Sequence, residues 1–377
     1  MTPHPYIDIQ LGTLPCTEGV TESHALLSIA PAGFTLTYEE QLKALMEAFD
    51  TLRRELGAQP VFKRYFMSDA ANQFPGLMNY ELESPDYAVS AVQQPPAGGG
   101  KLALWAWLMT GVQTRACPGG LFEAAHGSYR HLWSGGNSID AQGSEAQTKL
   151  LLNDYVMQLL GEGCTLEANC LRTWFFINDI DNNYPGVVGA RNDVFRTQNM
   201  SDRTHFIAST GIGGRQNNPK VLVQLDNYAV AGLQRGQLRY LYAPAHLSRT
   251  SRYGVSFERG VQVDYGDRRH VFVSGTASAS PQGEIMHAGD VAAQCRRVWD
   301  NIGALLAEGG TGWADVKMLI CYLRDRADAP LVGRMLTERF GPSLPRLVVQ
   351  AGVCRPGWLV EMECIAARPL HTAFAPL

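Results

Sequence analysis

The chain has 377 residues, 45% hydrophobic and 18% charged, an ordinary globular composition with room for two domains. A formal net charge of −4 argues against a general nucleic-acid or anionic-membrane surface, and no apolar run reaches transmembrane length. The start, MTPHPYIDIQLG, has neither the basic nor the apolar region of a signal peptide. The eight cysteines form no C-x-x-C pair and fit no zinc spacing, so they are expected as reduced, mostly buried thiols of a cytoplasmic protein.

The residues before about 90 are the least legible, with one good helix, YEEQLKALMEAFDTLRREL, and a strand-like Pro60–Met67. QQPPAGGGK, Gln93–Lys101, reads as an exposed loop. Beyond it the chain repeats itself. Helical periodicity begins at Ala146 (Leu151, Val156, Leu159, Leu160) and again at Ala292 (Val298, Ile302, Leu305, Leu306). Ser144 with Gln147 suggests a capping box and Asp290 an N-cap; Gly161 and Gly309 suggest C-caps. A strand ending in aspartate follows each helix, RTWFFIND and MLICYLRD, then a second helix, then HFIASTGIG or RLVVQAGVC. The second copy opens on YGVSFERGVQVDYG and HVFVSGTASA; the first is expected to open on KLALWAWLMT and the segment before Ser144. The unit is strand–strand–helix–strand–helix–strand–strand, an α+β pattern, placing domains at 1–235, with an extra amino-terminal region, and 236–377.

The last strand of the second copy carries two acids. Trp358, Val360, Met362 and Cys364 alternate with Leu359, Glu361, Glu363 and Ile365, so both acids share one face, Glu361 expected in the strand interior and Glu363 nearer its end. A carboxylate on an apolar sheet face has a raised pKa and can serve as a proton donor, while an edge strand with one solvated face would explain the same pattern. The first copy has VLVQLDNY at this place, with no glutamate, and Gly213 where the second has Cys354. That asymmetry suggests one site per chain.

The stretch from about Tyr253 to Arg368 resembles the YjgF/RidA family through SGTAS, GDVAAQCRRVWDNIGALL, YLRD and PRLVV…VCRPGWLVEMECIA. More of the chain, about 100–368, resembles the chorismatases through RTWFFINDIDNNYPGVVGARNDVF, THFIASTGIGG, YLYAPAHL and YGVSFERG with YGDRRHVFVSGTAS. The resemblance implies two tandem YjgF/RidA-like, chorismate mutase-like domains packed as part of a trimer. It implies cleavage of chorismate to pyruvate and a benzoate or dihydroxy-diene, without metal or organic cofactor. The seven-residue step from Cys354 to Glu361 matches the branch that forms 3-hydroxybenzoate, with 4-hydroxybenzoate as a further possible product. In the single-domain deaminases the residues matched by Arg346 and Glu361 hold the substrate carboxylate and position water, so an enamine or imine deaminase is a second reading, and a non-catalytic binder that kept the fold a third.

The chemistry asks for a protonated acid and for donors to two substrate carboxylates. Glu361 and Cys354 are the catalytic candidates; Tyr184, Arg191, Tyr242, Arg259 and Arg346 are the substrate-binding ones. Each has a plainer alternative: a solvated helix residue for Arg191, a core or interface tyrosine for Tyr242, a strand-start surface residue for Arg346, inert core for Cys354. Tyr184 and Arg191, seven apart on a helix, share a face. TGIGGR lacks the lysine of a phosphate loop, and the two histidines of HGSYRH lack a third ligand. The partner expected is one small molecule, chorismate, with the chain a homo-oligomer or, if the amino-terminal region fills the third position of the pseudo-trimer, a closed monomer.

Overall fold

The computed structural model describes residues 2–16, 19–81 and 86–377. It holds three mixed sheets, each with helices against one face. Unit one comprises β1 (Ile7–Leu14), β2 (Glu22–Ile29), α1 (Tyr38–Leu56), β3 (Gln59–Met67), α2 (Ala70–Glu81), β4 (Ala88–Gln93) and β5 (Leu102–Met109). Unit two comprises β6 (Gln113–Ala116), β7 (Phe122–His126), β8 (Tyr129–Ser138), α3 (Gly143–Gly161), α4 (Leu166–Asn169), β9 (Cys170–Ile177), α5 (Ile180–Thr197), β10 (Ala208–Gly213) and β11 (Val223–Ala231). Unit three comprises β12 (Leu238–Leu241), β13 (Gly260–Asp264), β14 (Arg268–Ala277), α6 (Val291–Glu308), β15 (Val316–Leu323), α7 (Ala329–Phe340), β16 (Arg346–Gln350) and β17 (Val360–Pro369). Their strand orders, β1-β2-β5-β3-β4, β10-β9-β11-β8-β7-β6 and β12-β13-β14-β17-β15-β16, share one five-stranded topology, with β6 and β12 added at edges.

The α+β class and tandem arrangement expected from sequence are present, but the unit is made three times. The region treated as an extra amino-terminal segment is itself a complete unit, so residues 1–235 hold two sheets rather than one. KLALWAWLMT is the closing strand of unit one, β5, not the opening of unit two, which starts at the β7–β8 hairpin. Local signals also moved. Gln142, not Ser144, stands at the N-cap position of α3 and makes no side-chain cap, and the Gln147 amide instead bonds the carbonyls of Ala141 and Lys220. Asp290 caps α6 as expected, accepting from the Ala293 N–H. Only the Gly98–Gly99 tip and Lys101 of the Gln93–Lys101 loop are exposed; Gln94 is buried and donates to the Gly213 carbonyl at 2.6 Å. No helix among the described residues is long and apolar enough to cross a membrane.

Each sheet is covered on both faces, which β5 shows directly. Leu102, Leu104, Ala106 and Leu108 pack under α1 with Leu45 and Phe49, while Ala103, Trp105, Trp107 and Met109 turn to the centre of the molecule. There they meet Trp133 and Trp174 of unit two and Phe272 of unit three in one core. Leaving out the added edge strands β6 and β12, the fourth strand of each unit lies on the second strand of the next: β4 on β8, β10 on β14, and β16 on β2, which closes the circle.

Buried ion pairs cross all three junctions. Arg64 Nη2 lies 2.8 Å from Asp226 Oδ2, Arg172 Nη2 lies 2.6 Å from Glu363 Oε2, and Arg268 Nη1 lies 3.7 Å from Glu22 Oε2. The Arg64 guanidinium also stacks among Phe62, Trp105, Trp174 and Phe176. Removing one partner strands the other charge away from water. Arg64→Met is expected to destabilise the fold by about 3–5 kcal/mol in urea unfolding, and Arg64→Met with Asp226→Leu to recover much of that loss. A single variant as stable as wild type would show that the pair is dispensable.

Candidate functional site

A cavity of about 50 Å³ opens between units two and three. Its floor is built where β10 meets β14, and its far wall is the turn from β16 into β17. Close backbone approach shapes that wall: the Gly213 N–H donates to the Gly352 carbonyl at 2.7 Å, and a Cβ on Gly213 would sit 2.7 Å from Gly352 N. The following turn is held by Arg324, which pairs with Asp181 at 2.9 Å and donates to the Val353 carbonyl.

Glu361 and Glu363 share one face of β17, as the alternation predicted, but that face is buried in the junction instead of solvated. β17 runs on to Pro369, so Glu361 is the residue near the strand end and Glu363 lies farther in, the reverse of the expected order. The two acids have unlike surroundings. Glu363 accepts hydrogen bonds from Arg172 Nη2 at 2.6 Å, Trp174 Nε1 at 3.0 Å, Tyr322 at 3.0 Å and the Thr210 hydroxyl. Glu361 lines the cavity, 4% exposed, and no donor among the described residues bonds its carboxyl. Burial first, and then the charge of Glu363, push its pKa up to about 8. Gly275 lies directly against it: a Cβ there would come 2.1 Å from Glu361 Oε1.

Cations face this acid. Arg191, on α5, is 1% exposed between the rings of Phe175 and Phe257, and its Nε and Nη2 have no hydrogen-bond partner among the described residues. A buried guanidinium with unsatisfied donors is a receptor for a carboxylate. Arg259 is fixed by the Ser248 carbonyl at 3.0 Å and the Tyr253 hydroxyl at 2.6 Å. Arg355 lies 4.9 Å from the ring centres of both Tyr253 and Trp358. Cys354 sits beside Glu361 and Tyr184, and burial pushes its thiol up to about 12, keeping it neutral. Burial likewise raises the Tyr184 phenol, so it acts as a hydrogen-bond donor rather than a phenolate.

Five of the seven residues singled out from sequence therefore line one cavity: Glu361, Cys354, Tyr184, Arg191 and Arg259. Tyr242 and Arg346 do not. The Tyr242 ring is covered by Arg249, 4.0 Å from its centre, and its backbone N–H donates to Glu308. Arg346 is drawn to the end of α7, where Nη1 donates to the Gly341 carbonyl at 2.7 Å and Nη2 to Thr337 Oγ1 at 3.0 Å. Tyr253, Phe257, Arg355 and Trp358 line the cavity without having been chosen. Arg355 and Trp358 stand in the turn between Cys354 and Glu361, and that adjacency could have flagged them. Tyr253 and Phe257 come from YGVSFERGVQVDYG, expected to open the second copy as a strand, but β13 begins only at Gly260 and both lie in the irregular segment before it. Among the described residues Cys117, Glu123 and Glu162 cluster closely enough to hold a cation, but Arg115 and Arg130 already occupy both carboxylates.

Comparison with known proteins agrees with this architecture. The family model described as Endoribonuclease L-PSP matches residues 257–368, most of unit three. The 3-aminoacrylate deaminase RutC of Acinetobacter baylyi is 35% identical over 97 residues, 26% of this chain and 77% of that protein. A 3-hydroxybenzoate synthase of Streptomyces hygroscopicus is 30% identical over 222 residues, 52% of this chain and 63% of that protein, so the match spans under two thirds of that relative. The crystal structure of a chorismatase superposes with a TM-score of 0.65 at 19% identity, covering 81% of this chain and 92% of that one, and shows the same fold.

The raised thiol gives a check that needs no substrate. At pH 8 iodoacetamide should alkylate Cys354 at least ~100-fold more slowly than a free thiol, because thiolate is the reactive form. Peptide mass spectrometry with and without urea reads this; labelling of native Cys354 at the free-thiol rate would contradict it.

Proposed function

We propose that this chain, an enzyme of the chorismatase family built from YjgF/RidA-like units, cleaves chorismate to pyruvate and a hydroxybenzoate, with 3-hydroxybenzoate as the product. The observation that carries this reading is the placing of a glutamic acid held in its neutral form and an unpaired buried guanidinium on the walls of one cavity. Chorismate has the complementary parts: an enol ether that accepts a proton and two carboxylates that need cations.

In this scheme Arg191 takes one carboxylate and Arg259, fixed by Ser248 and Tyr253, stands for the other. Glu361 gives its proton to the enolpyruvyl methylene, whose π electrons form the new C–H bond and leave an oxocarbenium centre. The ring C–O bond then breaks, its electrons regenerating the pyruvate carbonyl, and the ring is left as a cation. Loss of the neighbouring ring proton gives 4-hydroxybenzoate; movement of the hydroxyl oxygen by one carbon, then proton loss, gives 3-hydroxybenzoate. Capture by water gives the dihydroxy-diene instead. Cys354 favours the hydroxybenzoate outcome by filling with a neutral thiol the space beside Glu361 where a smaller residue would admit water. The deaminase reading loses its substrate anchor, since the Arg346 guanidinium is engaged by α7.

Incubation with chorismate should release pyruvate, read by a coupled dehydrogenase, with 3-hydroxybenzoate found by chromatography; no pyruvate above blank would overturn the proposal. Glu361→Gln should lower kcat by at least ~100-fold, the lower end of what a general acid contributes. Because the raised pKa leaves Glu361 protonated below about 8, activity should be full at neutral pH and fall as pH rises through that value. A rate that climbs through pH 8 would assign the proton to another group. Cys354→Ala should shift product towards the dihydroxy-diene, and an unchanged ratio would reject the role of the thiol.

A further inference from the structure

The scheme above leaves one buried acid without a part. Glu363 is 1% exposed, two residues from Glu361 on the same strand face, which puts their backbones roughly 7 Å apart. It is bonded more fully than a carboxylate needs for neutralisation alone. Two of its partners, Arg172 and Thr210, come from unit two, as does Trp174, whereas Tyr322 is its neighbour in unit three. Arg172 and Trp174 can only donate, and the Thr210 oxygen already accepts from Arg172 and from the Gly275 N–H, so this set of partners suits a carboxylate. Thr210 also ties this anion to the cavity. Its oxygen accepts from the Gly275 N–H at 2.9 Å, and Gly275 is the residue against which the Glu361 carboxyl rests.

We propose that Glu363, clamped across the junction by Arg172, Thr210 and Trp174, is a positioning residue that keeps Glu361 in its acid form by standing as a permanent anion beside it. The inference rests on the reading of Glu361 as proton donor. Burial alone favours the neutral form of Glu361, but the cavity is also lined by cations that would draw the proton off. The groups facing Glu361 are Glu363 on its own strand, Arg172 on β9 and Tyr322 on β15. From α5 come Tyr184 and Arg191, from the segment before β13 Tyr253 and Arg259, and from the preceding turn Cys354 and Arg355. Four of these nine are arginines. Glu363 is the one fixed anion among them, and its charge raises the pKa of Glu361 where Arg172 and Arg259 lower it. The design resembles a carboxylate pair sharing one proton, except that the donors around Glu363 decide which member holds it.

The test combines a pH–rate profile with infrared titration of the protonated-carboxyl stretch, assigned to Glu361 by its loss in Glu361→Gln. In Glu363→Gln the infrared midpoint and the basic limb of kcat/KM for chorismate should both move down by about one pH unit or more. Glu363→Asp, which keeps the charge, should leave them within a few tenths of a unit of wild type. A midpoint unmoved in Glu363→Gln, or moved equally in Glu363→Asp, overturns the proposal. Should Glu363→Gln fail to fold, Glu361→Gln, isosteric with the protonated acid, carries the test. No protonated carboxyl should remain at the pair between pH 5 and 7, and a band persisting there would show that Glu363 takes the proton, overturning the claim. Wild-type enzyme that releases no pyruvate would end the chorismate reading, while the infrared arms would still judge the role of Glu363.

Discussion

The architecture depends on buried charges that are paired across the junctions between its units. Asp226 of unit two finds Arg64 of unit one, Glu363 of unit three finds Arg172 of unit two, and Glu22 of unit one finds Arg268 of unit three. The pairs run in one direction around the molecule, and all six side chains are out of contact with water. Separating any two units would leave a bare charge in an apolar core, a cost well above the gain from re-forming an exposed pair. Hydrophobic burial holds the central tryptophans together, but it is tolerant of sliding; the ion pairs specify which unit follows which.

Three like units create three like junctions, and one of them carries the cavity that joins Arg191 to Glu361. The strand register shows why. Glu361 lies opposite Tyr322, and the corresponding positions, opposite Phe176 and Phe66, are Gln224 and Ala103. Gln224 is engaged by Ser90 at 3.0 Å, and Ala103 has no functional group to offer. Arg346, expected from resemblance as a substrate anchor, lies on the side of unit three that faces unit one, where Gln10 bonds its backbone. The site thus draws its acid from unit three and its unpaired cationic donors, those of Arg191, from unit two. The same junction carries the Arg172–Glu363 pair, so assembly of the fold and tuning of the acid are one event.

Much of this was legible in the sequence, and the failures have physical causes. Units two and three share the spacing of their helices and the aspartates that end RTWFFIND and MLICYLRD, so their likeness survives as pattern. Unit one does not declare itself because β5, buried on both faces, reads as an unbroken apolar run, LALWAWLM, with no alternation to mark its place. Tyr184 and Arg191 were found because helical spacing put them on one face. Tyr242 and Arg346 were chosen for residue type and resemblance, and nothing in one dimension shows that Arg249 covers the first and that helix carbonyls hold the second. The distinction between Glu361 and Glu363 was likewise beyond strand periodicity, which assigns a face but not what stands opposite it; three of the four partners of Glu363 come from positions 172, 174 and 210, on another unit.

The central claim is that a buried carboxylic acid in this cavity protonates an enol ether carbon. Turnover of chorismate in D2O, read by mass spectrometry of pyruvate trapped as it forms, tests it most directly, since the Glu361 carboxyl exchanges with solvent before each cycle. The account predicts pyruvate with a single deuterium in its methyl group from the first turnovers. Pyruvate released with an undeuterated methyl, or no pyruvate at all, would contradict it.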